Sequence, residues 1–234
     1  MYRIESKRKL SEFVELMTLK APNVARRTEA GQFVIVSAHE DGERIPLTVV
    51  DYDREEETIQ IIYQIVGYST KRLSELNPGE YLPVVLGPLG MPTHYETGGG
   101  EVKKILGIGG GVGIAPLYPQ LKKFKGEGIS VEVILGGRSK DLVILKEEIA
   151  AFADALYFAT DDGSLGIKGL VTDMLKTLLS EGKSYDLIIA IGPMVMMRAV
   201  TEVAKPLNIP TGVSLNPLMV DGTGMCGCCR VDIG

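Results

Sequence analysis

The chain predicts two domains of different class, an antiparallel β-barrel followed by an α/β domain on a five-stranded parallel sheet. Three observations carry that expectation. Short β-rich runs separated by polar turns fill residues 7–92, the pattern of a small barrel or sandwich. From Val102 onward, apolar runs alternate with helical stretches, which implies a parallel sheet covered on both faces. Between the two patterns lies Glu96-Thr97-Gly98-Gly99-Gly100, the best linker candidate. The expected division is therefore 1–97, 98–217 and a short cysteine-bearing segment, 218–234.

The barrel strands are read at Lys9–Leu19, Gln32–Ser37, Leu47–Tyr52, Thr58–Val66 and Tyr81–Leu86. Glu40-Asp41-Gly42 and Asn77-Pro78-Gly79 supply turn chemistry between them. A short helix is expected over Thr70–Leu76. In the second domain, strands at Ile105–Ile108, Val131–Leu135, Leu156–Ala159 and Leu187–Ile191 alternate with helices at 114–125, 145–152, 170–179 and 195–205. Val213-Ser214-Leu215 closes the set as a fifth strand.

Composition excludes several classes. Apolar residues make up 45% of the 234 and charged residues 24%, ample for one or two buried cores. A net charge of −5 argues against nucleic acid as a partner. The run Lys7-Arg8-Lys9 reads as a solvated strand edge rather than a binding patch. Met1-Tyr2-Arg3-Ile4-Glu5-Ser6 has no apolar signal core, and no apolar run is long enough to span a membrane. The expected location is the cytoplasm. His39 and His94 lie in polar, turn-like stretches without partners for a triad or a zinc site.

Three glycine-bearing loops are expected at one edge of the parallel sheet. The first, Gly109-Gly110-Gly111-Val112-Gly113-Ile114-Ala115-Pro116, joins a strand to a helix, so its backbone N–H groups and the helix N-terminus suit a phosphate. Its spacing departs from Gly-x-Gly-x-x-Gly, since Pro116 takes the last glycine's place. The others are Thr160-Asp161-Asp162-Gly163-Ser164 and Gly192-Pro193-Met194. Asp161 and Asp162 are read either as ligands of a ribose or as helix-capping, solvated carboxylates. All three cysteines, Cys226, Cys228 and Cys229, fall within four residues among glycines. That density points to metal ligation rather than to a core or a disulfide framework.

These residues together resemble the ferredoxin–NADP reductase superfamily over essentially the whole chain. Gly109–Pro116 resembles its nicotinamide-dinucleotide turn. Ile191-Gly192-Pro193-Met194 is similar to its Cys-Gly-Pro motif, with isoleucine in the cysteine's place. Arg44-Ile45-Pro46-Leu47-Thr48 is similar to its flavin motif, and Gly87-Pro88-Leu89-Gly90 to the landmark that closes the flavin barrel. The branch the chain resembles is that of the electron-transfer subunits, namely the electron-transfer subunit of dihydroorotate dehydrogenase and the small subunits of NADH-dependent ferredoxin–NADP oxidoreductase and sulfide dehydrogenase, and residues 214–226 are most similar to the last two.

The resemblance implies FAD lying between barrel and nucleotide domain. Arg44 would pair with the pyrophosphate, while Pro46, Leu47 and Thr48 would line the flavin ring. Gln64, Val66, Gly67, Ser69 and Thr70 would complete the flavin site, Ser69 and Thr70 serving equally well as helix caps. The nicotinamide dinucleotide would be held by Gly109, Gly110, Gly111, Val112, Gly113, Ala115, Pro116, Arg138, Asp161, Asp162, Gly163, Gly192, Pro193 and Met194. The carboxylates Asp161 and Asp162 favour NAD(H) over NADP(H), against Arg138, which suits a 2′-phosphate. A 2Fe-2S cluster would take Asp221, Cys226 and Cys229, with Cys228 outside the ligand set and the family's remaining cysteine beyond the sequence in hand. The implied partner is a larger oxidoreductase subunit with flavin or iron–sulfur centres of its own. In the dihydroorotate type a cysteine occupies the position of Asp221, which favours the ferredoxin-linked type here. A reading of another class, a non-catalytic metal-binding module, leaves Arg44 and the dinucleotide turn unexplained.

Overall fold

A computed structural model describes residues 1–95, 101–215 and 218–231. The linker candidate Glu96–Gly100 and the pair Asn216-Pro217 lie outside those residues. The chain divides into two compact units, Met1–Thr93 with Asn216–Gly234, and His94–Leu215.

The first unit opens with β1 (Tyr2–Ser11) and β2 (Val14–Lys20), an antiparallel hairpin turning at Glu12-Phe13. The single run expected over Lys9–Leu19 is thus two strands. Ile4 is the one buried residue of β1, so the strand's alternation is too weak to register in the sequence. A one-turn helix α1 (Pro22–Ala25) follows, started by Pro22, whose missing N–H costs nothing at that position. Then come β3 (Phe33–Ser37), β4 (Ile45–Asp53), β5 (Thr58–Gln64), helix α2 (Tyr68–Glu75), β6 (Tyr81–Leu82) and β7 (Val84–Leu89).

These strands form one antiparallel sheet in the order β6-β1-β2-β5-β4-β3-β7. The expected run over Tyr81–Leu86 is split at Pro83, which has no N–H to donate to a ladder. The two halves pair with opposite edges: Leu82 with Tyr2 of β1, and Val85 with Val36 of β3. One stretch of chain therefore joins both edges and nearly closes the barrel. Its interior is filled by Ile4, Met17, Val34, Ile59, Ile61, Tyr63 and Leu82, with Leu73 of α2 packed among them.

The second unit runs β8 (Lys104–Gly110), a 3₁₀ turn at Gly111–Gly113, α3 (Ile114–Gly126), β9 (Ser130–Gly137), α4 (Lys146–Ala150) and β10 (Ala155–Thr160). It continues with β11 (Ile167–Lys168), α5 (Val171–Ser180), β12 (Leu187–Ile191), α6 (Met194–Ala204) and β13 (Thr211–Val213). All pairings are parallel, in the order β11-β10-β9-β8-β12-β13. The sheet has six strands rather than five, because the two-residue β11 is too short to leave a hydrophobic signature. β13 ends at Val213, so Ser214 and Leu215 lie outside it. Leu106, Ile108, Ile134, Ile188 and Ala190 pack against α5 and α6.

Near the N-terminal ends of these strands one carboxylate is buried. Glu132 of β9 is 6% exposed. It accepts hydrogen bonds from Lys104 Nζ at 2.8 Å, Lys183 Nζ at 2.9 Å and the Tyr185 hydroxyl at 2.9 Å. Burial alone would favour its neutral acid, but these donors outweigh burial and hold its pKa down to about 2. Among the described residues no helix is long and apolar enough to cross a membrane.

Candidate functional site: a glycine-edged sheet and a flavin-type strand

Because the strands of the second unit are parallel, the carboxyl ends of β8, β9, β10 and β12 share one edge, where open α/β sheets bind ligands. The register sets Gly109 opposite Leu135 and Ile191, Gly110 opposite Gly136, and Gly137 opposite Thr160. The three predicted loops leave from this edge, and α3 and α6 begin there. Their N-termini bring the positive ends of the helix dipoles to this edge, although the Ile114 N–H that opens α3 is already bonded to the Gly111 carbonyl.

Two glycines of the first loop have different tasks. A Cβ on Gly113 would stand 2.4 Å from the Ile191 carbonyl oxygen and 2.6 Å from Gly192 Cα. Its missing side chain lets two backbone loops touch. Gly111 has φ +56°, and a Cβ there would meet nothing within 4 Å. It faces open space in a conformation that side chains disfavour. Val112 and Pro116 are half-buried, whereas Ala115 is 2% exposed and belongs to the core. Pro193 caps α6, and Met194 beside it is 61% exposed.

The second loop is internally ordered. The Asp162 carboxylate accepts hydrogen bonds from the Ser164 N–H at 2.9 Å and the Ser164 hydroxyl at 2.6 Å, which hold its carboxyl below the usual range. The Ser164 hydroxyl oxygen in turn accepts the Lys140 N–H at 2.8 Å. Asp162 therefore builds the loop, and Gly163 turns it with φ +75°. Asp161 and Arg138 are exposed.

In the first unit, Pro46, Leu47 and Thr48 lie on β4 opposite Ile35, Val34 and Phe33, all three half-buried. Arg44 precedes the strand and is exposed. Among the described residues no hydrogen bond or ion pair engages its guanidinium. Gln64 ends β5, and Val66 and Gly67 lead into α2, all three exposed. The Thr70 hydroxyl oxygen accepts the N–H groups of Val66 and Gly67, both at 3.1 Å. It caps its own helix rather than facing outward. Ser69 donates its hydroxyl proton to the Glu43 carboxylate.

A cleft at this helix start is lined by Ser37, His39, Glu43, Tyr68, Ser69 and Arg72. Arg72 donates through Nε to His39 Nε2 at 3.1 Å and pairs with Glu75 at 2.6 Å. Neither Glu43 nor Arg72 carries a motif, so sequence reading passes over both. An unengaged guanidinium, a helix N-terminus and a half-buried apolar strand suit a flat ring system carrying a pyrophosphate. These residues fit a flavin dinucleotide.

The cysteine segment is shaped by Asp221. Its carboxylate accepts the N–H groups of Thr223 at 2.9 Å, Gly224 at 3.3 Å and Cys226 at 2.9 Å, and these donors lower its pKa. Gly222 lies over Ile35 and Leu89 of the barrel. Cys226 and Cys228 are exposed and Cys229 half-buried, all as free thiols. The neighbouring Cys226 thiol pushes the Cys228 thiol up. Among the described residues no three histidine, cysteine, aspartate or glutamate side chains converge as a metal site. The donor chemistry suits an iron–sulfur cluster, but the arrangement does not complete one.

An antiparallel barrel followed by a glycine-edged parallel sheet defines a two-domain oxidoreductase of the ferredoxin-reductase type. The oxidoreductase NAD-binding domain family matches residues 108–202. The chain belongs to the family of dihydroorotate dehydrogenase B (NAD(+)) electron transfer subunits and their homologues, and is an oxidoreductase-type electron-transfer subunit. It is 44% identical over 230 residues to such a homologue from Thermotoga maritima, covering 98% of this chain and 79% of that one. The electron transfer subunit of Geobacillus thermodenitrificans is 36% identical over 231 residues, covering 97% and 86%. A chain in the structure of NADH-dependent reduced ferredoxin–NADP oxidoreductase, solved in work on flavin-based electron bifurcation, superposes with TM-score 0.90. It is 42% identical to this chain, over 98% of this chain and 81% of that one.

Proposed function

We propose that the chain takes electrons from NADH onto a bound FAD and delivers them to a larger oxidoreductase subunit. The observation that carries this reading is the unengaged Arg44 guanidinium at the head of the half-buried Pro46–Thr48 segment. FAD supplies the step between two-electron hydride chemistry and one-electron transfer. Arg44 offers its planar donors to the pyrophosphate, and the N–H groups at the start of α2 add to them. Pro46, Leu47 and Thr48 shield one face of the ring from water. At the other site, Gly111 admits the dinucleotide phosphates against the N-terminus of α3. Met194, exposed at the start of α6, offers an apolar contact for the nicotinamide end.

Asp161 supports NADH over NADPH: its exposed carboxylate accepts bonds from ribose hydroxyls and repels a 2′-phosphate. Arg138, also exposed, pulls the other way. Asp221, Cys226 and Cys229 support a 2Fe-2S cluster whose ligand set the described residues do not complete. Asp221 also favours the ferredoxin-linked type over the dihydroorotate type as the partner system. No part of the proposed reaction requires an acid–base triad.

The test is an anaerobic titration of FAD-loaded protein with NADH and, separately, NADPH. NADH should bleach the visible flavin bands with the higher kcat/KM. Arg44→Ala should lose FAD on gel filtration while its nucleotide binding persists. Protein that binds no FAD, or a faster reaction with NADPH, overturns the corresponding part of the reading.

A further inference from the structure

Helix α2 spans two turns, and Leu73 is its single buried residue. The helix's side chains reach Glu43 through Ser69 and His39 through Arg72, and its C-terminal end is held by a charged row across three strands. Lys7 of β1 donates through Nζ to the carbonyl oxygens of Ser74 at 2.7 Å and Leu76 at 2.9 Å, at the C-terminal end of α2. The same ammonium pairs with Glu15 of β2 at 3.0 Å. Glu15 accepts the hydroxyl proton of Tyr63 on β5 at 2.7 Å, and Tyr63 is itself 1% exposed in the barrel core. The Lys7 and Glu15 side chains are only 14% and 17% exposed. Lys7 is therefore no solvated strand residue.

We infer that Lys7 is a positioning residue of the flavin site: by clamping the C-terminal carbonyls of α2 it fixes the direction in which the Tyr68–Thr70 amides point. This rests on the flavin reading above. The geometry supports it in two ways. The clamp holds the end of the helix opposite the proposed anion cradle, so a tilt at one end moves the other. A cation at a helix C-terminus also opposes the negative end of the dipole, and its bonds are charge-assisted. Glu15 and Tyr63 aim the ammonium, tying it to the most buried part of the barrel.

The experiment compares the full-length wild type with Lys7→Met and Lys7→Arg. FAD affinity is read by quenching of flavin fluorescence, and α2 order by amide hydrogen exchange of the flavin-free protein. Lys7→Met should weaken FAD binding by about tenfold and speed exchange at the α2 amides, with NADH affinity unchanged. Lys7→Arg should restore most of the FAD affinity. Loosened α2 amides with wild-type FAD affinity overturn the inference and leave the flavin reading intact. Equal losses in Lys7→Met and Lys7→Arg, with lowered NADH affinity in both, reduce Lys7 to a folding residue. Wild-type protein that binds no FAD removes the flavin reading and this inference with it.

Discussion

Gly111 and Gly113 sit two residues apart in one loop and should respond to substitution in opposite ways. Gly113→Ala puts a methyl group against the backbone of Ile191 and Gly192, where nothing flexible can yield. It should destabilise the second unit by about 2 kcal/mol or more, read as a lowered thermal midpoint. Gly111→Val meets no protein atom, so its cost to the fold is confined to the strained backbone, about 1–2 kcal/mol. Its side chain occupies the space proposed for phosphates, and NADH binding should be lost from folded protein. Retained NADH affinity in Gly111→Val would move the dinucleotide elsewhere. The sequence marks both glycines but does not separate their roles, because the partner of Gly113 lies almost eighty residues away. Thr70 and Asp162 illustrate the same limit. Both bear groups of the right chemistry at the right place, and both spend them on their own loop.

At the scale of elements, strand and helix alternation was legible wherever apolar runs were long and continuous, as in β8, β9 and β12. It fails where burial is sparse: β1 buries only Ile4, and β11 has two residues. The expectation of a solvated Lys7 fails for the same reason, since nothing local distinguishes a lysine in water from one that clamps a distant helix. The Glu132 cluster is likewise invisible, its members being drawn from three separate segments. It yields a clear expectation. Glu132→Gln leaves Lys104 and Lys183 partly buried without their counter-charge and should cost about 3 kcal/mol in denaturant unfolding. The folded pKa of Glu132 lies below its ordinary 4.5, at about 2. Its contribution is therefore complete above pH 4.5 and drains away as the pH falls through 2. The wild type should lose stability over that acid range, and Glu132→Gln should lose much less. Equal acid sensitivity in both would show that the cluster does not anchor the sheet.

For the molecule as a whole, the two-unit plan was readable from the change in periodicity, while Pro83 hid the barrel's near-closure. If FAD binds the folded chain alone, mass action must show it. Added FAD at a hundred times its dissociation constant should raise the free energy of unfolding by about 2.7 kcal/mol. A thermal midpoint indifferent to FAD would contradict the proposed function. The double pairing of the segment around Pro83 has a further consequence, for biosynthesis. Tyr2 is made about eighty residues ahead of its neighbour on one side, Leu82, which follows β1 to β5 in the chain. The nascent chain must carry an unfinished sheet with two open margins until that late stretch arrives. Pairings so distant along the chain are the slow ones, and exposed margins recruit other strands. The vulnerable moment in the life of this protein is the interval before residue 89 is made, when a chaperone would have most to protect.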